Sequence, residues 1–274
     1  MKRFAASVRT GFALTWKKET NWGSPASWIP WMLIRPVAGA MILWLMAGAA
    51  GNPAGFLAPA WFGNAAFQFV PIALGGMAMT VIEDRERYQM FKYIALSPSG
   101  VVPYLAGSAL ARSVFSALGV TVLVATGLFA LNLELPQVRP LALALSGILG
   151  LVAVTSLGLA IAGIALHVAR HGDLMAESIG GVFFLLSGAV FPIDLLPVWV
   201  RPLAFASPVT WWLESLRRSV GLSFNRVLSP VPDAAILGIL AGFAVLCVVL
   251  AGVVWSLSLR RARWRGLLDT TTAG

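Results

Sequence analysis

GAVFPIDLLPVWVRPLAFASPVTWWLESLRR, residues 188–218, decides how many times this chain crosses a membrane. The stretch is largely apolar, but it contains Arg201 and a proline every five or six residues. Proline removes a backbone hydrogen-bond donor and clashes with the preceding turn, which disfavours a continuous lipid-facing helix. We therefore predict that residues 192–213 form short, broken re-entrant helices, shielded by protein, that dip into the outer leaflet.

The residues around these broken helices are expected at the outer surface of the membrane. Tryptophan favours the lipid–water interface, and the stretch contains Trp199, Trp211 and Trp212. The charged residues that follow are predicted to lie in the outer aqueous face: Glu214, Arg217 and Arg218. A seventh span here would carry the four arginines between 260 and 265 to the outside, against the positive-inside rule.

The composition places the whole chain in a membrane. Of its 274 residues 58% are hydrophobic and 11% are charged, whereas about a quarter of the residues of a soluble domain are charged. We therefore predict an all-α integral membrane protein with a single transmembrane domain over residues 1–274. Six apolar runs are long enough to cross a bilayer as helices. They are 29–50, 63–82, 104–131, 141–168, 174–191 and 232–258.

The polar beginning of the chain predicts an amphipathic helix over residues 1–27. Apolar residues recur at every fourth position, while basic residues lie off that line. The apolar positions are Phe4, Val8, Phe12 and Trp16. Such a helix is expected to lie in the inner membrane interface. A cytosolic helix packed on another subunit is the alternative, and both can hold together.

Lysine and arginine set the predicted orientation. They are more numerous in the flanks that share a side with the two termini than in the other flanks, so both termini are predicted to lie in the cytoplasm. The same bias accounts for the formal net charge of +9. No nucleic-acid partner is therefore expected.

The spans argue against ion-driven transport. Their central parts contain no Asp, Glu, Lys or His, the residues that carry coupling ions or protons. The chain also lacks a GxxxxGK[ST] phosphate loop. An energised function would therefore need a separate ATPase subunit, and that partner, not this chain, would bind ATP and Mg²⁺.

No catalytic or metal site is predicted within the chain. His167 and His171 have the i, i+4 spacing of a zinc pair, but the sequence lacks the Glu of HExxH and an obvious third ligand. Ser108 has no candidate general base in the same membrane layer. We therefore expect a non-catalytic membrane subunit.

One short motif concerns helix packing. Gly238 and Gly242 form a GxxxG pattern in the last span, which allows another helix to approach closely. Packing within the subunit is favoured over a seam between two subunits.

Two segments resemble the membrane subunits of type-2 ABC exporters (ABC-2 permeases). Residues 83–112, EDRERYQMFKYIALSPSGVVPYLAGSALAR, look like the loop after the second helix of that family, with a charged opening, a short amphipathic helix and Ser-Pro. Residues 183–218 are similar to its second signature, an SG-x-x-FP motif, Leu-Pro, Ser-Pro and a terminal E-x-x-R. With DRE and KY in the loop, the chain looks most like bacterial drug and antibiotic exporters, including the daunorubicin-resistance type.

The resemblance implies a multi-pass subunit of an ATP-driven exporter in a bacterial inner membrane. The implied partners are two ABC ATPase subunits, a second permease subunit, identical or paralogous, and membrane lipids. Amphipathic drug-like or lipid-like compounds would move outwards by alternating access. The alternatives are export of a lipid-linked glycan, a non-transporting scaffold and a membrane enzyme.

The resemblance also implies roles for individual residues. In the loop 83–100, a short cytoplasmic helix would couple the chain to the ATPase through Glu83, Asp84, Arg85, Glu86, Arg87, Met90, Phe91 and Tyr93. The outer gate would comprise Ser187, Gly188, Phe191, Pro192, Pro197, Pro208, Glu214 and Arg217. Candidates for the substrate path are Phe67, Phe69, Phe183 and Phe184. Ordinary core packing is the alternative for these four phenylalanines.

Overall fold

A computed structural model of the chain describes residues 2–21, 25–49, 51, 55–167 and 172–266. Over these ranges the chain is largely helical and contains no strand, which confirms the predicted all-α class. The α-helices in these ranges are α1 Lys2–Thr20, α2 Pro25–Ala49, α3 Leu57–Phe67, α4 Phe69–Glu86, α5 Phe91–Leu96, α6 Val101–Ala125, α7 Pro140–Ala165, α8 Gly172–Leu186, α9 Arg201–Phe205, α10 Pro208–Ser219 and α11 Asp233–Trp264.

Four helical segments of the described chain are long and apolar enough to cross a membrane. They are α7, α11, Leu57–Glu86, which joins α3 to α4, and Val101–Ala130, which extends α6 by a π-helical turn. In α2 the apolar part is the shorter Val37–Ala49. The 15 residues of α8 make about 22 Å of helix, less than the hydrocarbon thickness of about 30 Å. The crossings predicted for α2 and α8 stay predictions.

Two of the spanning segments are longer than a membrane crossing needs. Leu57–Glu86 and Val101–Ala130 have 30 residues each, or about 45 Å of helix, against a hydrocarbon layer of about 30 Å. The charged end of the first and the start of the second are connected through α5, so we expect the excess length of both to overhang the membrane on that side. We call α1, α5, residues 80–86 and residues 101–112 the polar bundle.

The core is built around α7. This helix packs against α4, α10 and α11, and small residues on its surface allow the close approach that is usual between membrane helices. A Cβ atom at Gly158 would lie 2.2 Å from the carbonyl oxygen of Ala73 in α4, and one at Gly150 would lie 2.0 Å from the ring of Trp212 in α10. Larger side chains at these glycines would push α4 and α10 away.

Between α8 and α10 the chain changes direction several times, as its prolines predict. The pieces are a 3₁₀ turn at Ile193–Leu195, the five-residue α9, and α10, which starts at Pro208. α10 runs on to Ser219, beyond the predicted end of the broken region at residue 213. The depth of these pieces in the membrane stays a prediction.

The GxxxG motif of α11 is not used in packing within the described chain. A Cβ atom at Gly238 or at Gly242 would meet no described atom within 4 Å. The prediction that this motif packs within the subunit is therefore wrong, because the neighbours of α11 contact another of its faces.

Candidate functional site

The first group of predicted site residues lies in the polar bundle, where α1 packs along α6 of its own chain. Glycines let the two helices touch. A Cβ atom at Gly11 would lie 2.1 Å from the carbonyl oxygen of Tyr104, and one at Gly107 would lie 2.0 Å from that of Val8. Amphipathicity predicted an apolar face on α1, but it did not show that α6 covers part of this helix.

Asp84 is the centre of the polar bundle. Its side chain is fully buried, forms an ion pair with the ammonium group of Lys18 and accepts a 2.8 Å hydrogen bond from the Tyr104 hydroxyl. Nearby, Thr15 donates a 2.9 Å hydrogen bond to the Ser108 hydroxyl. Because a buried charge is tolerated only when it is paired and hydrogen-bonded, these contacts hold α1 against both α4 and α6.

Two arginines extend this network. Arg112 of α6 pairs with Glu19 of α1 at 2.5 Å and donates a 3.3 Å hydrogen bond to the Thr80 hydroxyl of α4. Arg85 donates a 2.8 Å hydrogen bond to the carbonyl oxygen of Leu166, just after α7. The end of α4 is therefore connected to α1, α6 and α7 by polar contacts.

The predicted ATPase-coupling residues fall into three sets by exposure. Buried are Asp84, Arg85 and Phe91. Half-buried are Glu83, Glu86 and Met90. Exposed are Arg87 and Tyr93. The buried set contacts its own chain, so a partner can reach only the other residues. The coupling role of the loop stays a prediction.

α5 projects from the polar bundle as a short amphipathic helix. Phe91 is 1% exposed and packs into the bundle, whereas Tyr93 and Leu96 are 69% and 81% exposed. The turns on either side use left-handed backbone, with φ of 50° at Gln89 and 74° at Gly100, a conformation that glycine adopts most easily. These turns set α5 as a separate element between the two overhanging helices.

Replacing Asp84 by alanine is expected to lower the free energy of unfolding by about 3 kcal/mol, because the substitution leaves the Lys18 ammonium group largely buried without its partner. Tyr104→Phe, which removes one hydrogen bond, should cost about 1 kcal/mol. Thermal unfolding in detergent measures both. Asp233→Ala is the matched control, because Asp233 is half exposed and its ion pairs are worth about 1 kcal/mol or less. Equal losses for Asp84 and Asp233 would contradict a structural role for the buried pair.

The second group of site residues surrounds Arg217, which is 1% exposed. Its guanidinium donates hydrogen bonds of 2.9, 2.7 and 2.8 Å to the carbonyl oxygens of Pro59, Gly188 and Ala189, and it lies 4.6 Å from the ring centroid of Phe224. Burial lowers the pKa of Arg217 to about 10, which leaves it charged at neutral pH. One buried cation thus joins α3, α10 and the turn after α8.

Glu214 supports the same turn from the other side. Its fully buried carboxylate accepts a 2.9 Å hydrogen bond from Arg218 Nε and a 2.7 Å hydrogen bond from Asn225 Nδ2. The side-chain oxygen of Asn225 in turn accepts a 2.8 Å hydrogen bond from the Ile193 amide. Asp194 accepts two more hydrogen bonds from backbone amides of the loop after α10. The E-x-x-R motif therefore anchors the broken helices.

The predicted position of this motif in the outer aqueous face is wrong. Glu214 and Arg217 are buried, and the side chain of Arg218 is 14% exposed. The physical reason is that the broken chain leaves carbonyl and amide groups without helical partners, and these charged side chains provide the missing hydrogen bonds.

Two of the three tryptophans predicted at the interface are also buried. Trp199 is 79% exposed, as expected at an interface, but Trp211 and Trp212 are 9% and 1% exposed. The Trp211 indole donates a 2.8 Å hydrogen bond to the carbonyl oxygen of Phe205. Trp212 occupies the space beside Gly150. These two rings hold α10 in the core.

The other predicted gate residues lie in and after the turn that follows α8. Gly188 has φ of 68°, so the chain can reverse there without strain. Buried are Ser187 and Pro208. Half-buried is Pro192, and exposed are Phe191 and Pro197. Their role in gating stays a prediction.

Three of the four phenylalanines predicted for the substrate path take part in two separate ring contacts. The rings of Phe67 and Phe184 meet edge to face with centroids 5.0 Å apart, and Phe69 lies 6.1 Å from Trp212. Phe183 is partly buried and packs against the main core. The structure therefore brings one of the predicted pairs together, and whether it lines a path stays a prediction.

Several residues of the two sites were missed in the sequence. Lys18 and Arg112 were not predicted as site residues, because their partners Asp84 and Glu19 are contacted only in the fold. Tyr104 and Asn225 carry no signal in a single sequence, because their partners Asp84 and Glu214 are found only by folding. No group of three metal-ligating side chains occurs among the described residues. His171 lies outside them, so the absence of a metal site stays a prediction.

Comparison with known proteins matches most of the chain to one family. A family model described as ABC-2 type transporter matches residues 11–220, more than half of the chain. The match includes most of α1, the Asp84 network, α5 and the E-x-x-R motif. No curated protein matches the chain.

Proposed function

The chain belongs to the ABC-2 type transporter family, and from this premise we propose that it is the permease of an ATP-driven exporter. It is a transmembrane subunit of an ABC transporter, of a kind that works with ABC ATPases. In the proposed complex, two ATPases and a second permease, identical or paralogous, assemble in a bacterial inner membrane with both termini of this chain in the cytoplasm. The observation that carries the proposal is α5, an exposed helix anchored to a bundle of spanning helices.

The exposed side of α5 is the proposed docking surface for the ATPase. Tyr93 and Leu96 present large apolar groups to solvent, and tyrosine is frequent among the residues that dominate binding energy at protein interfaces. Arg87 is exposed and Glu83 half-buried beside them, and such charges at the rim contribute specificity and association rate. This surface suits a protein partner better than it suits lipid, because it lies on the overhanging part of the helices.

The polar bundle would carry movement from the docked ATPase to the membrane. Pulling on α5 moves the end of α4, and the contacts of Asp84 and Arg85 pass that displacement to α1, α6 and α7. Packed helices linked by buried hydrogen bonds move as rigid bodies. ATP-driven closure of the partner would therefore tilt several spans together.

α7 would connect the two sites. Its end after Ala165 is held by Arg85, and its Gly150 contacts Trp212 of α10. A shift of α7 would therefore displace α10, which holds the turn after α8 through Arg217. We place the outer gate in this turn, where Phe191 and Pro197 are exposed.

The cargo is proposed to be amphipathic, of drug-like or lipid-like character. The contact between Phe67 and Phe184 joins α3 to α8, and 38% of Phe184 is exposed. Aromatic side chains on an apolar surface bind apolar or amphipathic molecules without a dedicated charge partner. An ATP-driven exporter of such compounds fits this arrangement.

The docking proposal predicts a large effect at Leu96. Leu96→Asp places a charge in the middle of the docking surface, and loss of one dominant interface residue costs about 2 kcal/mol or more. We expect the ATP hydrolysis that co-purifies with the tagged chain from native membranes to fall by at least about tenfold. The measurement compares ATPase activity per amount of captured chain.

Val138→Asp is the matched control. Val138 is 51% exposed and lies in the loop between α6 and α7, at the other end of the spans from α5. The Val138→Asp variant should leave the co-purifying ATPase activity unchanged. Equal activity in Leu96→Asp and wild type would remove α5 as the docking helix. Absence of any ATPase, both with wild type in detergent and after crosslinking in intact membranes, would reject the exporter proposal itself.

A further inference from the structure

A cavity of about 460 Å³ lies between the end of α1 and the turn before α5. Its lining from α1 and the residue after it is Leu14, Lys17, Lys18 and Asn21. Its lining from the turn is Arg87, Tyr88 and Met90. The cavity therefore combines three cations with polar and apolar groups, and the Tyr93 side chain is not part of its lining.

The charges around the cavity do not balance. Lys18 pairs with Asp84, but in the described part of the chain neither Lys17 nor Arg87 forms an ion pair. Both of these residues are exposed. The cavity thus has two cations available to an anionic ligand.

An aromatic ring of the cavity lining lies close to two of the cations. The Lys18 ammonium group lies 4.6 Å and the Arg87 guanidinium carbon 5.7 Å from the ring centroid of Tyr88. Cation–π contacts at these distances favour the observed placement of both side chains. The ring therefore contacts two of the three cations that line the cavity.

The lining offers many hydrogen-bond donors and few acceptors. Lysine and arginine only donate, and the Asn21 amide and the Tyr88 hydroxyl each donate as well. Phosphate oxygens are acceptors that bind such charged donors through short, strong hydrogen bonds. A phosphate-bearing anion is therefore the chemical class that matches this lining.

The depth of the cavity points to a lipid. Arg112, which pairs with Glu19, is followed by about 27 Å of helix up to Ala130, close to the hydrocarbon thickness. If Ala130 lies at one boundary of the hydrocarbon, Arg112 and Glu19 lie at the other, and Lys17 and Lys18 lie next to Glu19 in the same layer. This is the layer that contains phospholipid headgroups.

We propose that the cavity formed by Lys17, Lys18, Asn21, Arg87 and Tyr88 binds the phosphate of an anionic phospholipid headgroup from the leaflet on the α5 side. The site goes beyond the proposed transport function, because it would bind a membrane lipid as a structural ligand and not as cargo. A bound headgroup would supply a negative charge to the two cations that form no ion pair within the described residues, and it would bridge α1 to the end of α4. Lipid composition would thereby affect how firmly α1 is held.

The test uses the purified full chain in a nonionic detergent, without any ATPase. Isothermal titration compares short-chain phosphatidylglycerol, short-chain phosphatidylcholine and inorganic phosphate. The double variant Lys17→Gln, Arg87→Gln is compared with Arg263→Gln, Arg265→Gln. The second pair removes the same charge from exposed positions at the end of α11. Thermal unfolding checks that all variants fold.

We expect wild type to bind phosphatidylglycerol and not phosphatidylcholine. The first double variant should bind about 30-fold more weakly, because each basic residue near a membrane surface contributes about fivefold to the affinity. The α11 variant should match wild type.

Three results would overturn the lipid site. Equal losses in both double variants would show a general charge effect. Inorganic phosphate that displaces the lipid at a similar concentration would assign the site to a soluble phosphate compound. Unchanged lipid affinity in Lys17→Gln, Arg87→Gln, with loss of the co-purifying ATPase, would assign the cavity to an acidic side chain of the partner. Because lipid binding is measured without the ATPase, failure of the docking proposal leaves this test intact.

Discussion

Replacing Arg217 by methionine is expected to lower the free energy of unfolding by about 3–5 kcal/mol. Methionine approximates the length of the side chain but provides none of the donors that the carbonyl oxygens of Pro59, Gly188 and Ala189 receive. Each buried acceptor left without a donor costs about 1–3 kcal/mol. Thermal unfolding in detergent, followed by tryptophan fluorescence, measures the loss.

Arg226→Met is the matched control, because Arg226 is exposed in the neighbouring loop and its backbone amide contact to Asp194 survives the change. Arg226→Met should lower the free energy of unfolding only slightly. The loss of stability in Arg217→Lys should lie between those of the two methionine variants. Lysine retains the charge, but its ammonium group lacks the planar set of donors with which a guanidinium contacts three carbonyl oxygens. A methionine variant at position 217 that is as stable as the Arg226 control would contradict the anchoring role.

Replacing Gly107 by leucine is expected to have the second large effect on stability. The backbone of Val8 lies where the new Cβ atom would be, and a backbone cannot rotate out of the way as a side chain can. α1 must therefore move away from α6, at a cost of about 3 kcal/mol. We expect the N-terminal helix to become sensitive to limited proteolysis and the co-purifying ATPase activity to fall, because the Lys18–Asp84 contact is pulled apart.

Gly147→Leu tests whether any glycine-to-leucine change in a helix has this effect. Gly147 lies within α7, and a Cβ atom there would meet no described atom within 4 Å. Leucine also has a higher helix propensity than glycine, so this control should be at least as stable as wild type. Proteolysis of α1 in the Gly147 variant, or a protected α1 in the Gly107 variant, would contradict the close packing of α1 on α6.

Much of the fold follows from simple properties of the chain. Apolar length and the scarcity of charge predict the all-α membrane class, because helices are the natural way to satisfy a backbone in lipid. The prolines between 192 and 208 predict the break before α10. These features are local, so they can be seen without knowing which segments meet.

The contacts that build the two sites are not local. The Glu214 and Arg217 side chains are charged, and charge alone predicts exposure. Their burial depends on backbone groups of Pro59 and of the turn at Gly188, far away in the chain. In the polar bundle, Asp84 was recognised as part of a charged loop, but its partner Tyr104 looks like any tyrosine at a helix start. Pairing of distant segments, and not residue type, decides these positions.

At Gly238 and Gly242 the sequence predicts a close contact that the described residues do not make. Their spacing matches a known packing motif, yet no described atom lies close to either. Gly107 and Gly11 lack such a motif between them and make the tightest contact of α1 with α6. Close helix packing depends on which glycines face each other across two helices, and a spacing within one helix does not determine that.

The bond between Arg217 and Pro59 also imposes an order on biosynthesis, because it joins residues 158 positions apart. At translation rates of about 5–20 residues per second, α10 leaves the ribosome roughly 8–30 s after α3. During that interval α3 lacks the cation that later joins its start to the turn after α8. This end of the protein is therefore completed late in synthesis, and a nascent chain that stops before residue 217 lacks the residue that joins α3 to the turn after α8.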